Sequence, residues 1–77
     1  MSETSVTTVE NALLRMDRLR AMALTEEIVS TESTLSLFDG YLTPAMENIG
    51  KKWETGEASL AQVYMAGRIC EQITLSY

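Results

Sequence analysis

Apolar residues recur at every third or fourth position along almost the whole chain, and this spacing constrains the fold more than any other feature of the sequence. No stretch alternates apolar and polar residues with the period of two that a half-buried strand requires. With 77 residues, the chain can bury about 60% of the surface that it exposes when unfolded, which suffices for one modest core. The spacing therefore predicts a single all-α domain over residues 1–77, built as an antiparallel bundle of four or five helices.

Capping residues indicate where the helices begin. Thr7 with Glu10 predicts a capping box at the start of the first helix. Ser59 with Gln62 predicts another for a last helix that runs to about Ser76. A second helix is expected over about 17–30, and the Ser- and Thr-rich stretch that follows it predicts a turn and a new N-cap.

Proline and glycine indicate where helices are interrupted. Pro44 follows Thr43, and this pair predicts either the first turn of a new helix or a kink in one continuous helix. Gly56 predicts a helix end in the left-handed conformation. Gly67 lies within the last helix, where glycine costs about 1 kcal/mol relative to alanine. We therefore expect another helix to approach closely at Gly67.

The apolar spacing assigns one buried face to each main helix. The methionines on these faces are interpreted as gap-filling core residues rather than as a soft binding surface. The predicted faces are Val6, Val9, Leu13 and Met16; Leu19, Met22, Ala23 and Val29, with Ile28 adjacent; Met46, Ile49 and Trp53; and Leu60, Val63, Gly67, Cys70 and Tyr77, with Tyr64, Ala66, Ile69 and Ile73 beside that face.

Composition excludes several classes of function. A net charge of −5 argues against nucleic-acid binding, whose affinity depends on Lys and Arg that neutralise phosphates. The chain contains no His, which removes Ser-His and Cys-His catalysis and His ligation of metals. No apolar run approaches the ~20 residues that cross a bilayer, and the first residues lack the basic and apolar regions of a secretory signal. A single cysteine cannot form an internal disulfide, so we expect a cytoplasmic protein, and the lack of a long apolar run predicts no membrane partner.

Few ionisable side chains suggest chemistry. Lys51 and Lys52 either complement the dipole of a helix C-terminus or bind an anion or an acidic partner, and the first interpretation is favoured. Cys70 lies at an apolar helical position and is expected to be an inert core thiol. No carboxylate forms a Glu-x-x-His pair of the kind that di-metal bundles use, so we expect solvated surface positions for the scattered acids. These acids are Glu26, Glu27, Glu54, Glu57 and Glu71.

The most informative stretch is 49–62, which combines two glycines, the single Trp and a capped helix. Gly50 lets another element or a flat ligand approach its helix, and Gly56 lets the chain reverse. Trp53 and Leu60 flank that reversal, and both can point out of the same end of the bundle. Because large aromatic residues usually lie in cores, spacing alone favours a helix hairpin whose Trp53 fills the core.

A family resemblance favours an exposed Trp53 over one that fills the core. The chain resembles the helical cap domain of cobalamin-binding proteins, a family that includes the corrinoid proteins of methanogen-type methyltransferases and cobalamin-dependent methionine synthase. The resemblance is closest over 35–74, whereas the first 34 residues match only as generic helices. The residues that carry it are Leu42-Thr43-Pro44-Ala45-Met46, then Ile49-Gly50-x-x-Trp53-x-x-Gly56, then Ser59-Leu60-Ala61-Gln62.

The resemblance implies a cofactor and a role for each matching residue. Trp53 would lie over the upper face of the corrin ring of cobalamin, and Leu60 would shield the same face from the next helix. Gly50 and Gly56 match the glycines of the family pattern. Such a cap would exclude water and radicals from the cobalt–carbon bond.

The sequence also departs from the family pattern. In the family a Rossmann-like domain follows and carries Asp-x-His-x-x-Gly, whose His ligates cobalt from below. That domain is absent from the 77 residues, which contain no His, so we expect this chain alone not to bind a corrinoid tightly. Val63 and Tyr64 occupy the positions of the Glu-His pair of the related light-sensing repressors, which argues against photosensing.

Two functions from different classes follow. The resemblance implies the cap half of a corrinoid-dependent methyl-transfer protein, which is not catalytic alone and has a corrin-binding Rossmann-like domain and methyltransferase subunits as partners. The alternative is a small helical interaction module without cofactor, which uses the Trp53 and Leu60 end as a protein interface. An uncovered apolar end predicts a homo-oligomer in either case. A DNA-binding helix-turn-helix is disfavoured by the acidic charge.

Overall fold

Four helices make up the part of the chain that the computed structural model describes. Helix α1 spans Val6–Leu14 and α2 spans Arg18–Thr31. Helix α3 spans 34–54, and α4 spans Leu60–Ser76. None of the described residues belongs to a strand, so the prediction of an all-α bundle is confirmed.

The structure describes residues 4–77. The expected domain 1–77 and the expected lack of a secretory signal also involve residues 1–3, which lie outside the described residues. Over 4–77, no helix combines the length and the apolar character needed to cross a membrane.

Short polar side chains cap the first and last helices. Ser5 Oγ accepts a hydrogen bond from a backbone N–H in the first turn of α1, so the predicted capping box of Thr7 and Glu10 is wrong. The physical reason is that Glu10 lies on the apolar side of α1 and is only 5% exposed. At α4 the prediction is confirmed, because Ser59 Oγ accepts from the Gln62 N–H at 3.1 Å while the Gln62 side chain accepts from the Ser59 N–H at 2.8 Å.

The predicted second helix and the turn after it are also confirmed. Asp17 Oδ1 accepts a backbone N–H of the first turn of α2 at 3.0 Å. Ser33 Oγ accepts a backbone N–H at 3.0 Å and begins α3. The polar stretch between α2 and α3 therefore ends one helix and starts the next.

A wide turn lets α3 continue through Pro44. Residues Leu37–Leu42 form a π-helical segment, and the N–H of Thr43 donates to the carbonyl of Phe38, five residues earlier. The backbone stays helical at the join, with φ −68° and ψ −47° at Leu42. Of the two predicted alternatives, the continuous helix is therefore correct. Proline has no N–H and crowds the carbonyl four residues earlier, and the wider turn accommodates both effects.

Helices α1 and α3 each end with a residue in the left-handed conformation. Gly56 has φ +82° and ends α3 as predicted. Met16 ends α1 in the same way with φ +57°. The predicted burial of Met16 on the stripe of α1 is therefore wrong. The chain turns away after Leu14, and the Met16 side chain is 42% exposed.

The core lies between all four helices, with α1 packed against each of the other three. Helix α3 contributes its π-helical segment and the turn around Ile49 to this core. The buried apolar residues of the cluster are Val9, Ala12, Leu13, Ala21, Leu24, Ile28, Leu37, Leu42, Ala45, Ile49, Ala66, Ile69 and Ile73.

The predicted face of α2 is wrong at Leu19 and Ala23, which are exposed, whereas Ile28, predicted beside that face, is buried. Leu19 is 81% exposed, whereas Ala21, Leu24 and Ile28 are buried. Helix α2 carries apolar residues around much of its circumference, so spacing alone allows more than one stripe. Packing against α1 selects the stripe that includes the small Ala21.

The predicted face of α4 is rotated relative to the observed one. Ala66, Ile69 and Ile73 are buried, whereas Leu60 is 68% exposed. The predicted close approach of another helix at Gly67 is also wrong within this chain, because a Cβ added there would meet no heavy atom within 4 Å. Helix α4 therefore has apolar residues on two sides, of which only one faces the core.

Candidate functional site

The connection between α3 and α4 is a short turn built on one backbone carbonyl. The carbonyl of Lys52 accepts hydrogen bonds from the N–H groups of Glu57 at 2.7 Å and Ala58 at 3.1 Å. It also accepts from the Thr55 hydroxyl at 3.1 Å. Ala58 is 5% exposed and anchors the turn against the protein. These contacts hold the end of α3 and the start of α4 in a defined relation.

Trp53 lies in the last turn of α3, immediately before this connection, and is 51% exposed. Its ring therefore does not fill the core, unlike the arrangement that spacing alone favours. Trp53 and Gly50 line one open depression on the surface of α3, together with charged side chains. A Cβ at Gly50 would meet no heavy atom within 4 Å. The charged lining residues are Glu47, Lys51 and Glu54.

The other two predicted site residues lie next to this depression in the chain but do not line it. Gly56 ends α3 with its positive φ. Leu60 begins α4 and exposes 68% of its surface. The structure thus brings Gly50 and Trp53 together, while Gly56 and the turn connect them to Leu60.

A buried carboxylate supports the end of α3 next to this turn, and this role was not predicted from the sequence. Glu10 accepts hydrogen bonds from the Asn48 amide at 3.0 Å and from the Lys52 ammonium. Its position continues the spacing of Val6, Val9 and Leu13, which was the signal for its burial. Glu10 therefore joins α1 to the end of α3, next to Trp53.

This cluster gives Lys52 a partner that neither interpretation of the lysine pair included. Lys52 is bound to Glu10, and this hydrogen bond raises the pKa of the Lys52 ammonium. The positive charge of Lys52 is therefore paired within the chain. Lys51 remains exposed and lies in the last turn of α3, where a cation also complements the helix dipole.

The scattered acids lie mainly on the surface, as predicted. Glu26, Glu54, Glu57 and Glu71 are exposed, and Glu27 is half-buried. Over residues 4–77, no three Asp, Glu, Cys or His side chains converge in a way that could hold a metal ion.

Cys70 is half-buried and lines an open apolar groove between α3 and α4, beside Phe38, Leu42 and Met46. Burial raises the pKa of its thiol from 9.0 to about 11. The prediction of an unreactive thiol is consistent with this environment, because the thiolate is the reactive form.

Cys70 should therefore react slowly with iodoacetamide at neutral pH. In the folded chain the alkylation rate should rise to a midpoint near pH 11, whereas in the urea-unfolded chain the midpoint should fall toward 9.0. Because the unfolded state loses this proton first, the thiol should lower the free energy of unfolding as pH rises from 9.0 toward about 11. A folded-state midpoint at or below the unfolded one would contradict the burial of the thiol.

Comparison with known proteins identifies the family. The family model described as B12 binding domain matches residues 6–74, which includes α1 and α2 as well as the stretch 35–74 that carries the sequence resemblance. No curated protein and no solved structure gives a significant match. The helical bundle, its exposed Trp53 and the extent of this match lead to one conclusion: the chain belongs to the family of cobalamin-binding helical cap domains.

Proposed function

We propose that this chain is the cap of a corrinoid-dependent methyl-transfer protein and that it shields the upper face of the cofactor. The observation that carries the proposal is the half-exposed Trp53 at the end of α3, beside a connection held by several hydrogen bonds. A large aromatic side chain displayed on a well-ordered turn is a surface suited to a flat partner. A soluble domain gains little from leaving such a ring uncovered.

In this proposal the flat face of a corrin ring would lie against Trp53 and Gly50. The open space above Gly50 lets a planar group approach the backbone of α3 closely. Trp53 supplies an aromatic face beside that space, and Leu60 supplies an apolar side chain across the turn. The charged side chains around the depression would stay solvated at its edge.

In the proposed role, the residues of this chain exclude water and hold the turn in position, and they do not take part in the reaction. Trp53 and Leu60 would keep water away from the upper face, and the Lys52 carbonyl would hold the turn that carries them. A bound cobalamin supplies a cobalt centre that accepts and donates a methyl group. The partners in this proposal are a corrin-binding Rossmann-like domain and methyltransferase subunits, for which the cap would open.

The isolated chain should bind methylcobalamin at best weakly. It has no His to serve as a lower ligand, and one exposed apolar surface gives little binding free energy against the cost of association. Trp53 is the only Trp, so its fluorescence reports directly on binding at this surface. A sub-micromolar Kd in this titration would show that the bundle alone suffices, contrary to the proposal.

The shielding role requires a protein in which this bundle is joined to a corrin-binding domain. There, Trp53→Ala and Leu60→Ala should both speed photolysis or oxidation of the bound methylcobalamin while the helix content by circular dichroism stays unchanged. Leu35→Ala is the matched control, because Leu35 is 69% exposed and Leu60 is 68% exposed. Equal rates for Leu60→Ala and Leu35→Ala, with no effect of Trp53→Ala, would rule out shielding by these residues.

A further inference from the structure

The connection between α1 and α2 carries three arginines on one short stretch of the chain. Arg15 follows the last residue of α1, and Arg18 and Arg20 lie in the first turn of α2. All three are exposed, and within residues 4–77 none of them forms an ion pair with a carboxylate. Arg18 donates instead to the neutral side-chain oxygen of Gln72 at 3.2 Å. We call this surface the arginine patch, and its residues are Arg15, Met16, Arg18 and Arg20.

The fold of this chain does not explain the unpaired arginines. Acids are plentiful, because the chain has 11 Asp and Glu residues and a net charge of −5. Arg18 and Arg20 also lie at the end of α2 where the helix dipole disfavours a cation. Asp17 is the one carboxylate at that end, and it caps α2 by accepting the Arg20 N–H at 3.0 Å. The cations therefore gain more from an external anion than from the helix that carries them.

The turn between the arginines is ordered and contains an unfavourable residue. The N–H of Met16 donates to the Leu13 carbonyl, and the N–H of Asp17 donates to the Ala12 carbonyl, both at 3.0 Å. These two bonds form the Schellman arrangement of a helix end, whose left-handed position is usually glycine. Met16 occupies that position with φ +57° although its side chain is 42% exposed. Strained positions of this kind cluster at functional sites, which favours a role for the Met16 side chain in binding.

Two depressions border this turn. One is polar, has a volume of about 240 Å³ and is lined by Arg15 and Arg20 among other residues of α1 and α2. The other has a volume of about 230 Å³ and lies between the turn and α4. Beside Arg18, it is lined by the flexible apolar side chains of Met16 and Met65. The arginine patch thus places cations next to a small apolar recess.

We propose that the arginine patch binds an acidic protein segment that carries a large apolar side chain beside its carboxylates. Arg15 and Arg20 would donate to carboxylates in the polar depression, because a guanidinium matches the geometry of a carboxylate. The apolar side chain of the segment would enter the recess between Met16 and Met65, since Met side chains adapt to the shape of what they bind. This inference assigns a docking surface and does not rest on the proposed role with cobalamin.

Charge and size favour a protein segment over other anions. A nucleic acid or an anionic membrane presents dense negative charge over an area larger than the patch, so the other acids of this chain would oppose it. A single phosphate would fill the polar depression and leave the apolar recess empty. An extended segment reaches both depressions, because both border the same short turn. Carboxylates next to an apolar side chain therefore match the whole patch.

Fluorescence anisotropy of a labelled peptide with the full chain tests the charge of the partner. The probe is Asp-Glu-Asp-Leu-Glu-Asp-Glu. We expect saturable binding that weakens as the salt concentration rises, because salt screens exposed charges. Arg20→Gln should raise the dissociation constant roughly tenfold, which corresponds to the loss of one charge-assisted contact. Lys51→Gln is the matched control, because it removes the same charge from an exposed position at the end of α3 and should leave the dissociation constant unchanged.

Met16→Gly separates binding from stability. Glycine adopts a positive φ without strain, so this variant should not have a lower Tm than the unmodified chain. It should nevertheless bind the probe several-fold more weakly, because the recess loses one of its walls. A second peptide in which Ser replaces Leu should bind the unmodified chain and Met16→Gly equally. Weaker binding without a lower Tm excludes unfolding as the cause, and circular dichroism measures the Tm of each variant.

Four outcomes would overturn the proposal. The first is no saturable binding of the Leu peptide at low ionic strength. The second is equal weakening by Arg20→Gln and Lys51→Gln, which would indicate attraction without a site. The third is tighter binding of a single-stranded DNA oligonucleotide or of phosphatidylserine vesicles. The fourth is an oligomer of the unmodified chain that Arg20→Gln dissociates in sedimentation, which would assign the patch to a second copy. None of these measurements involves cobalamin, so their failure is distinct from a failure of the shielding role.

Discussion

Ile49→Ala should lower the free energy of unfolding by about 2–5 kcal/mol, as truncation of a fully buried aliphatic side chain does. Ile49 is 0% exposed and lies on the side of α3 that faces the core. For a domain of this size, a loss of about 2 kcal/mol alone corresponds to a decrease in Tm of roughly 8–16 °C. Thermal and urea unfolding followed by circular dichroism measure both quantities.

Trp53→Ala provides the informative contrast, because Trp53 lies one turn after Ile49 on the same helix. Truncation of a fully buried Trp costs about 3–5 kcal/mol, but half of the Trp53 side chain already contacts solvent. The isolated chain should therefore lose well under that amount and less than in Ile49→Ala. A larger loss for Trp53→Ala than for Ile49→Ala would mean that Trp53 is a core residue and would remove the basis for a displayed ring.

Most features that depend on residues within one turn could be predicted from the sequence, although the capping box of Thr7 and Glu10 was not correct, because Ser5 caps α1 and Glu10 is buried. Gly56 ends α3 because few other residues tolerate its positive φ. Ser59 and Gln62 form their capping box because both partners lie within one turn. The turn before Ser33 was predicted correctly for the same reason. In each case the residue type itself provides the conformation or the hydrogen bond.

Features that depend on packing could not be predicted in this way. The outer side of α4 matches the spacing of a buried face as well as the inner side does, and only the contacts with α1, α2 and α3 distinguish them. The left-handed Met16 is not marked by a glycine, so its spacing alone assigned it to the buried stripe of α1. Glu10 pairs with residues about forty positions later in the chain, which local patterns do not reveal.

Two of the four predicted site residues lie together in the structure, and the contacts that hold them in place were not predicted. Trp53 and Gly50 were selected from their spacing and from the resemblance, and the structure places them on one depression. The Lys52 carbonyl accepts the hydrogen bonds that hold their turn. From the sequence, only the charge of the Lys52 side chain was considered. A backbone acceptor has no sequence signature, because every residue carries one.

Glu10→Ala should lower the free energy of unfolding by about 1–3 kcal/mol, because it removes the acceptor for two donors from α3. Glu10 is 5% exposed, and the half-buried Asn48 amide would lose its partner. Asn11→Ala is the control, since Asn11 is the next residue of α1 and is exposed. It should change stability by less than about 0.5 kcal/mol. Urea unfolding at neutral pH measures the two variants against the unmodified chain.

The same substitution should also be visible at Trp53. With Glu10 gone, the Lys52 side chain loses its tie to α1, while the Lys52 carbonyl still accepts the hydrogen bonds of the turn. The end of α3 should then move more freely, so acrylamide should quench Trp53 fluorescence more strongly in Glu10→Ala than in Asn11→Ala. Glu10→Gln keeps a carbonyl oxygen and much of the packing, so its quenching and stability should lie between those of the two alanine variants. Unchanged quenching in Glu10→Ala would show that Glu10 stabilises the bundle without positioning the Trp53 turn.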